Sequence, residues 1–254
     1  MTYSVSLATL PIDTFVAFAV FARVGALFMT APAFGDFSLS PRIRLAAALA
    51  VTAAFVPVAA PYYPEWAGSN MAGILAIEVL VGGFLGITAR IMMSALNVAG
   101  QIIAFQMGLS LAQIFDPTQE LQGAIVGGFL AILGTTMIFA TDLHHLLLAA
   151  LRDSYDLMRP GVLPVMGDLA ETMIATLSAA FSLGARLSAP FILFGLVFYV
   201  GAGVLNRLMP QAQVFFMLLP ANLAFGLLLL MLTTGLMMTL FLERFESFLV
   251  QFLV

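Results

Sequence analysis

Four ionisable residues interrupt apolar stretches of the sequence, where a charge loses its hydration and needs compensation: Arg23, Glu78, Arg90 and Arg186. Two kinds of chemistry could follow. These residues could pair with one another or with other subunits as structural contacts. Alternatively, they could form a proton or ion relay of the kind that secondary transporters use. Only Glu78 and Asp142 offer carboxylates placed for a relay, so pairing is the simpler interpretation.

Residues that could support catalysis or metal binding do not form a recognisable site. His144 and His145 follow Asp142, but neighbouring side chains on a helix point to different faces, which is poor metal geometry. The segment Gly108-Leu109-Ser110 resembles a serine nucleophile turn without its second glycine. Cysteine is absent, which excludes thiolate chemistry. We predict that the chain is not an enzyme and has no catalytic, cofactor or metal site.

The composition indicates which solvent surrounds these residues. Of the 254 residues, 62% are hydrophobic and only 9% are charged, whereas soluble domains carry about 25% charged residues. Too few polar side chains remain to cover a water-facing surface, so the chain needs lipid or apolar partners. The net charge of −4 argues against nucleic acid as a partner. We predict an all-α integral membrane protein.

Apolar runs long enough for helices follow one another along the chain, at residues 14–34, 45–60, 71–107, 123–140, 172–205 and 214–242. Some exceed one membrane crossing, so we expect broken or kinked helices. Pro57, together with the prolines at 61 and 64, is predicted to break the second run. Pro220 and Asn222 are predicted to begin the regular helix of the last run. The polar residues 142–171 predict a short amphipathic helix and a loop.

Two pairs of glycines at helical spacing predict close contact between helices. Gly82 and Gly86 share one helix face, as do Gly123 and Gly127. Small residues at this spacing let two helix backbones approach each other. They indicate tight helix packing rather than a ligand site.

Three segments, in this order along the chain, resemble the FliR family, whose counterpart in virulence-type secretion is SctT. The first comprises Phe21 to Gly25 and Ala31 to Gly35, followed by Pro41 to Ala46. The second runs from Gly108 to Pro117 and the third from Asn206 to Pro220. The resemblance covers essentially the whole chain.

The resemblance implies a subunit of the flagellar type III export gate, which is needed for flagellum assembly. Proteins of this family join five FliP and four FliQ copies in a helical assembly and form part of a closed conduit for unfolded export substrates. The implied partners are FliP-like and FliQ-like subunits, FlhB and FlhA, the export substrates and membrane lipid. The implied location is the bacterial inner membrane, as a multi-pass protein of the flagellar basal body.

The resemblance also implies one FliR-like unit over residues 1–254. Residues up to about 165 would form a FliP-like part, and residues from about 172 a FliQ-like helical hairpin. The implied hairpin turn carries Asn206, Arg207, Pro210 and Gln211. Gln213 departs from the family's pattern, in which Asn is expected there, and Leu218 occupies a place where Gly is expected.

The segment from Gly108 to Glu120 resembles the loop that plugs the closed pore in this family. It contains helix breakers and apolar bulk, which suit a movable seal: Gly108, Leu109, Ser110, Leu111, Ile114, Phe115, Asp116 and Pro117. A plain loop between helices remains the alternative interpretation of this segment.

Two alternative functions remain open. An SctT-type subunit of a virulence secretion system would share the same motifs. A secondary transporter would place discontinuous helices around a site at the membrane midplane, but the matched halves typical of many transporters are not visible here. The chain also lacks a P-loop, so the energy for export would come from elsewhere.

Overall fold

The computed structural model describes residues 10–32, 34, 40–63, 71–109, 121–209 and 214–253. These residues form helices and connecting turns, without a strand among them. In chain order the helices are α1 (Leu10–Thr30), α2 (Pro41–Ala59), a 3₁₀ turn (Ala60–Tyr62), α3 (Met71–Gln106), α4 (Leu121–Ala140), α5 (Leu143–Leu157), α6 (Met166–Leu208) and α7 (Val214–Val250).

Four of the described helical segments are long and apolar enough to cross a membrane. They are Pro41–Tyr62, Met71–Gln106, Met166–Leu208 and Met217–Val250, and a fifth span arises if α4 and α5 together make one. The prediction of an all-α integral membrane protein is therefore confirmed.

The start of α2 shows how local sequence determines a helix boundary. The Ser40 hydroxyl accepts a hydrogen bond from the Ile43 backbone N–H at 3.4 Å, and Pro41 occupies the first turn. Both features are typical of helix N-termini, where Ser satisfies a free N–H and Pro needs none.

Three predicted boundaries were wrong. Helix α2 continues through Pro57 to Ala59, and α7 begins at Val214, with Pro220 inside it. Proline removes one backbone hydrogen bond, but membrane helices tolerate this loss where neighbouring groups satisfy the freed carbonyl. Helix α6 begins at Met166 rather than near residue 172, with Asp168 in its first turn. A carboxylate there interacts favourably with the positive end of the helix dipole.

The described residues pack into two units, each discontinuous in sequence. The first comprises the described residues within Met1–Ile91, Asp142–Thr176 and Glu246–Val254. Within it, Gly82 and Gly86 of α3 lie directly against α1: a Cβ at Gly82 would overlap the Arg23 carbonyl oxygen, and one at Gly86 would overlap the Thr30 hydroxyl. The predicted close helix contact at these two glycines is confirmed.

The second unit comprises the described residues within Met92–Thr141 and Leu177–Phe245. A Cβ at Gly100 of α3 would overlap the backbone of Gly127 in α4, so these helices also touch through glycine. The predicted close contact at Gly127 is confirmed, whereas the contacts of Gly123 lie outside what the structure describes. The division into a FliP-like part and a FliQ-like hairpin stays a prediction.

We expect the adjacent glycines Gly82 and Gly83 to respond oppositely to alanine. Gly82→Ala forces the Arg23 backbone away and should lower the free energy of unfolding by about 1–3 kcal/mol or more. A Cβ at Gly83 meets nothing within 4 Å, so Gly83→Ala should be neutral or stabilising by up to about 1 kcal/mol. Thermal unfolding in detergent compares the two variants, and equal unfolding midpoints would contradict this account of the helix contact.

Candidate functional site

A fully buried ion pair lies at the centre of the first unit. The Arg23 side chain of α1 donates from Nε to Glu78 Oε2 at 2.5 Å and from Nη2 to Glu78 Oε1 at 3.2 Å. Arg23 also donates from Nη1 to the Ser154 hydroxyl at 2.9 Å and from Nη2 to the Met158 carbonyl at 3.0 Å. Both charged side chains are 0% exposed. Such a forked, charge-assisted arrangement is what makes a buried pair tolerable.

Two tyrosines complete the walls of this cluster. The Arg23 guanidinium carbon lies 4.0 Å from the Tyr155 ring centroid, which is a cation–π contact, and Tyr63 packs edge-on to Tyr155. Burial, followed by the charge of Glu78, raises the pKa of the Tyr63 phenol, so the phenol stays protonated. The hydroxyls of Tyr63 and Tyr155 are both buried.

This geometry favours a structural role over a relay. Arginine does not release its proton at physiological pH, and Glu78 is held by two of its donors. The sequence did not indicate which of the four ionisable residues pair, and the structure pairs Arg23 with Glu78. Arg90 and Arg186 are both exposed, so neither shares the buried environment of that pair.

Sequence reasoning did not identify the cluster's partners on α5 and just after it. Ser154 and Tyr155 lie in the polar stretch that was predicted to be a short amphipathic helix and a loop. They are buried because they fall on the inward face of α5. The backbone carbonyl of Met158 carries no sequence signal. Amphipathic spacing could have suggested that Ser154 faces inward, but not that it contacts Arg23.

In the second unit, the end of α3 is held between two other helices. The Asn222 side-chain amide of α7 donates to the Gln106 carbonyl at 3.1 Å. Met107, which is 0% exposed, sits against Gly226, and the Gln106 side chain sits against Gly195 of α6. Gly108 then adopts a left-handed backbone with φ 77°, which glycine accepts without strain. The chain is therefore fixed up to the residue at which the predicted plug begins.

The predicted plug and hairpin turn are only partly described. Gly108 and Leu109 are described, whereas Ser110, Leu111, Ile114, Phe115, Asp116 and Pro117 lie outside the described residues. Asn206 and Arg207 are exposed at the end of α6, and Pro210 and Gln211 lie outside the described residues.

The turn before α5 groups three potential metal ligands. Ligand atoms of Asp142, His144 and His145 all lie within 4.8 Å of one another, because the two imidazole rings rotate together to a centroid distance of 4.1 Å. The prediction that adjacent histidines point apart does not hold for these rings. Asp142 and His145 are exposed, so water competes for both, and the cluster does not form an enclosed metal site.

Comparison with known proteins decides the family. The bacterial export proteins, family 1, match residues 14–248. The chain belongs to this family. The Caulobacter vibrioides relative named flagellar biosynthetic protein FliR is 38% identical over 240 residues, covering 93% of this chain and 95% of the relative.

Two more distant members of the export family carry the same name. The Bacillus subtilis protein is 33% identical over 226 residues, covering 86% of each chain. The Escherichia coli protein is 30% identical over 209 residues, covering 82% of this chain and 80% of the relative. The similarity spans both described units rather than one motif.

Proposed function

We propose that this chain is a subunit of the flagellar type III export gate and forms part of a closed conduit for unfolded export substrates. The observation that carries the proposal is the family match over residues 14–248, together with relatives named for flagellar biosynthesis. Those names favour the flagellar system over the virulence-type one. The proposed location is the inner membrane, within the flagellar basal body, and the proposed role is not enzymatic.

The surface of the described helices supports assembly with other apolar subunits. Large side chains stay exposed along α6 and α7, including Val197 at 73%, Met231 at 80% and Leu232 at 72%. Lipid alone could cover such a surface, but FliP-like and FliQ-like subunits in a hetero-oligomer would cover it specifically. FlhA and FlhB are the further proposed partners. Arg207 is exposed and is available to acidic groups or carbonyls of a neighbouring subunit.

Residues 108–120 are proposed to plug the closed conduit. Support comes from the described residues that precede this segment. Contacts with Asn222, Gly195 and Gly226 fix Gln106 and Met107. The segment that follows therefore starts from a fixed position. Apolar residues in the segment would then keep the constriction dry and impermeable to ions.

Assembly provides the direct test of the proposed partners. Co-expression with FliP-like and FliQ-like proteins from the same bacterium should give one monodisperse complex containing a single copy of this chain. Expressed alone, the chain should aggregate or fail to accumulate, because its exposed apolar helices lack their partners. Native mass spectrometry in mild detergent measures both outcomes. A stable monomer that ignores its co-expressed partners would contradict the proposal.

A further inference from the structure

A second cavity system lies in the first unit, outside the buried ion pair. An open apolar groove of about 650 Å³ runs between α1, α3 and the first turns of α6. Its lining includes Met29, Val79, Gly83, Ile87 and Met173. Gly83 forms an open part of the wall, because a Cβ there would meet nothing within 4 Å. Met29 and Val79 are 68% and 51% exposed.

The groove shares Leu169 with a second cavity of about 350 Å³. Most residues that line this second cavity are apolar, but three charged residues of the connector between α5 and α6 and its flanks also line it: Asp156, Arg159 and Asp168. The Arg159 guanidinium is exposed and forms no ion pair with any described residue. Asp156 accepts a hydrogen bond from the Tyr62 hydroxyl at 3.0 Å. The cavity thus carries one positive and two negative groups.

We propose that this paired cavity binds one phospholipid whose headgroup is zwitterionic and carries a primary ammonium, as in phosphatidylethanolamine. An acyl chain occupies the apolar groove, which offers almost no polar atoms. The Arg159 guanidinium binds the phosphate through its planar fork of donors, and the carboxylates of Asp156 and Asp168 accept from the ammonium.

The charge pattern selects this headgroup over the alternatives. A lipid with an anionic headgroup and no ammonium, such as phosphatidylglycerol, would place a net negative charge beside two carboxylates. A helix from a neighbouring subunit would match both spaces only if it placed a basic group opposite Asp156 and Asp168 and an acidic group opposite Arg159. A phospholipid that carries both charges at one end matches both spaces. This inference rests on the membrane setting and does not depend on the export function.

Photolabelling tests the inference. The chain, purified in complex with its co-expressed partners, is placed in nanodiscs of equal phosphatidylethanolamine and phosphatidylglycerol. A trace of one of the two lipids carries a diazirine on one acyl chain. We expect the ethanolamine lipid to label the groove peptides about tenfold more than the glycerol lipid, the fold-change that one charge-assisted headgroup bond supports. Arg159→Gln combined with Asp168→Asn should remove this preference.

Filling the groove provides a second, independent readout. Gly83→Leu should abolish groove labelling by both lipids. The matched variant Gly167→Leu, at another open glycine that does not line the groove, should leave labelling unchanged. Equal labelling by the two lipids, or labelling that survives Gly83→Leu, would overturn the inference. Replacing Val79 with photoreactive benzoylphenylalanine tests for a protein occupant: a cross-link to a neighbouring subunit in the purified complex would overturn the inference as well.

Discussion

Arg23→Met should lower the free energy of unfolding by about 3–5 kcal/mol, the cost of leaving a buried charge without its partner. Glu78 would remain 0% exposed and lose both donors. The Ser154 hydroxyl and the Met158 carbonyl would each lose the hydrogen bond that Arg23 donates to them. Because most domains are stable by only about 5–15 kcal/mol, the variant should accumulate poorly in membranes. Thermal unfolding in detergent and the amount of membrane-inserted protein measure the effect.

The matched control removes both charges together. Arg23→Met combined with Glu78→Leu leaves no buried charge, so it should recover most of the lost stability. An Arg23→Met variant that unfolds at the wild-type midpoint would contradict the structural role. If the double variant folds and assembles but no longer supports export, the pair takes part in export beyond holding the helices together.

Replacing Leu111 and Phe115 with glycine should leave an assembled complex that leaks ions. A membrane potential of 100 mV drives each elementary charge across the closed gate with about 2.3 kcal/mol. The constriction must therefore be filled by side chains. Apolar constrictions block ions by excluding water. Deleting residues 109–114 should have the same effect. Conductance of membranes containing the variant and its partners, or sensitivity of the cells to small toxic solutes, measures the leak.

Two controls separate leakage from misfolding. The purified variant complex must keep the wild-type subunit composition, because a folding failure would abolish secretion without a leak. Glycine at Val162 and Leu163, two exposed apolar residues of the connector before α6, should leave conductance unchanged. A correctly assembled plug variant with wild-type conductance would show that the seal lies elsewhere, in the partner subunits.

Local patterns predict the helices well, but they do not predict that two prolines lie inside helices. Continuous apolar runs identified α3 closely, since length and hydropathy suffice for a helix in lipid. The sequence predicts helix boundaries at Pro57 and Pro220 because proline breaks helices in water. In this chain both lie inside helices. Whether a neighbouring group satisfies the freed carbonyl depends on tertiary packing, which hydropathy does not contain.

The same limit applies to the buried ion pair and to Asn222. The cost of desolvation identifies Arg23 and Glu78 as charges that need compensation, but it does not identify them as partners. Ser154, however, lies 131 positions from Arg23, and no local pattern connects the two. The sequence predicts a helix start at Asn222, whereas its buried amide donates to the Gln106 carbonyl at the end of α3, 116 positions away. Contacts at such separations arise from the packing of helices rather than from spacing.

The most direct measurement of the proposed function is genetic. Deleting the gene that encodes this chain should leave cells without filaments and without exported flagellin in the medium. Expressing the wild-type chain from a plasmid should restore both. Expressing the variant with glycine in place of Leu111 and Phe115 should make the membrane permeable to ions. If the deletion strain instead secretes flagellin and swims like the wild type, the chain is not a required subunit of the flagellar export gate.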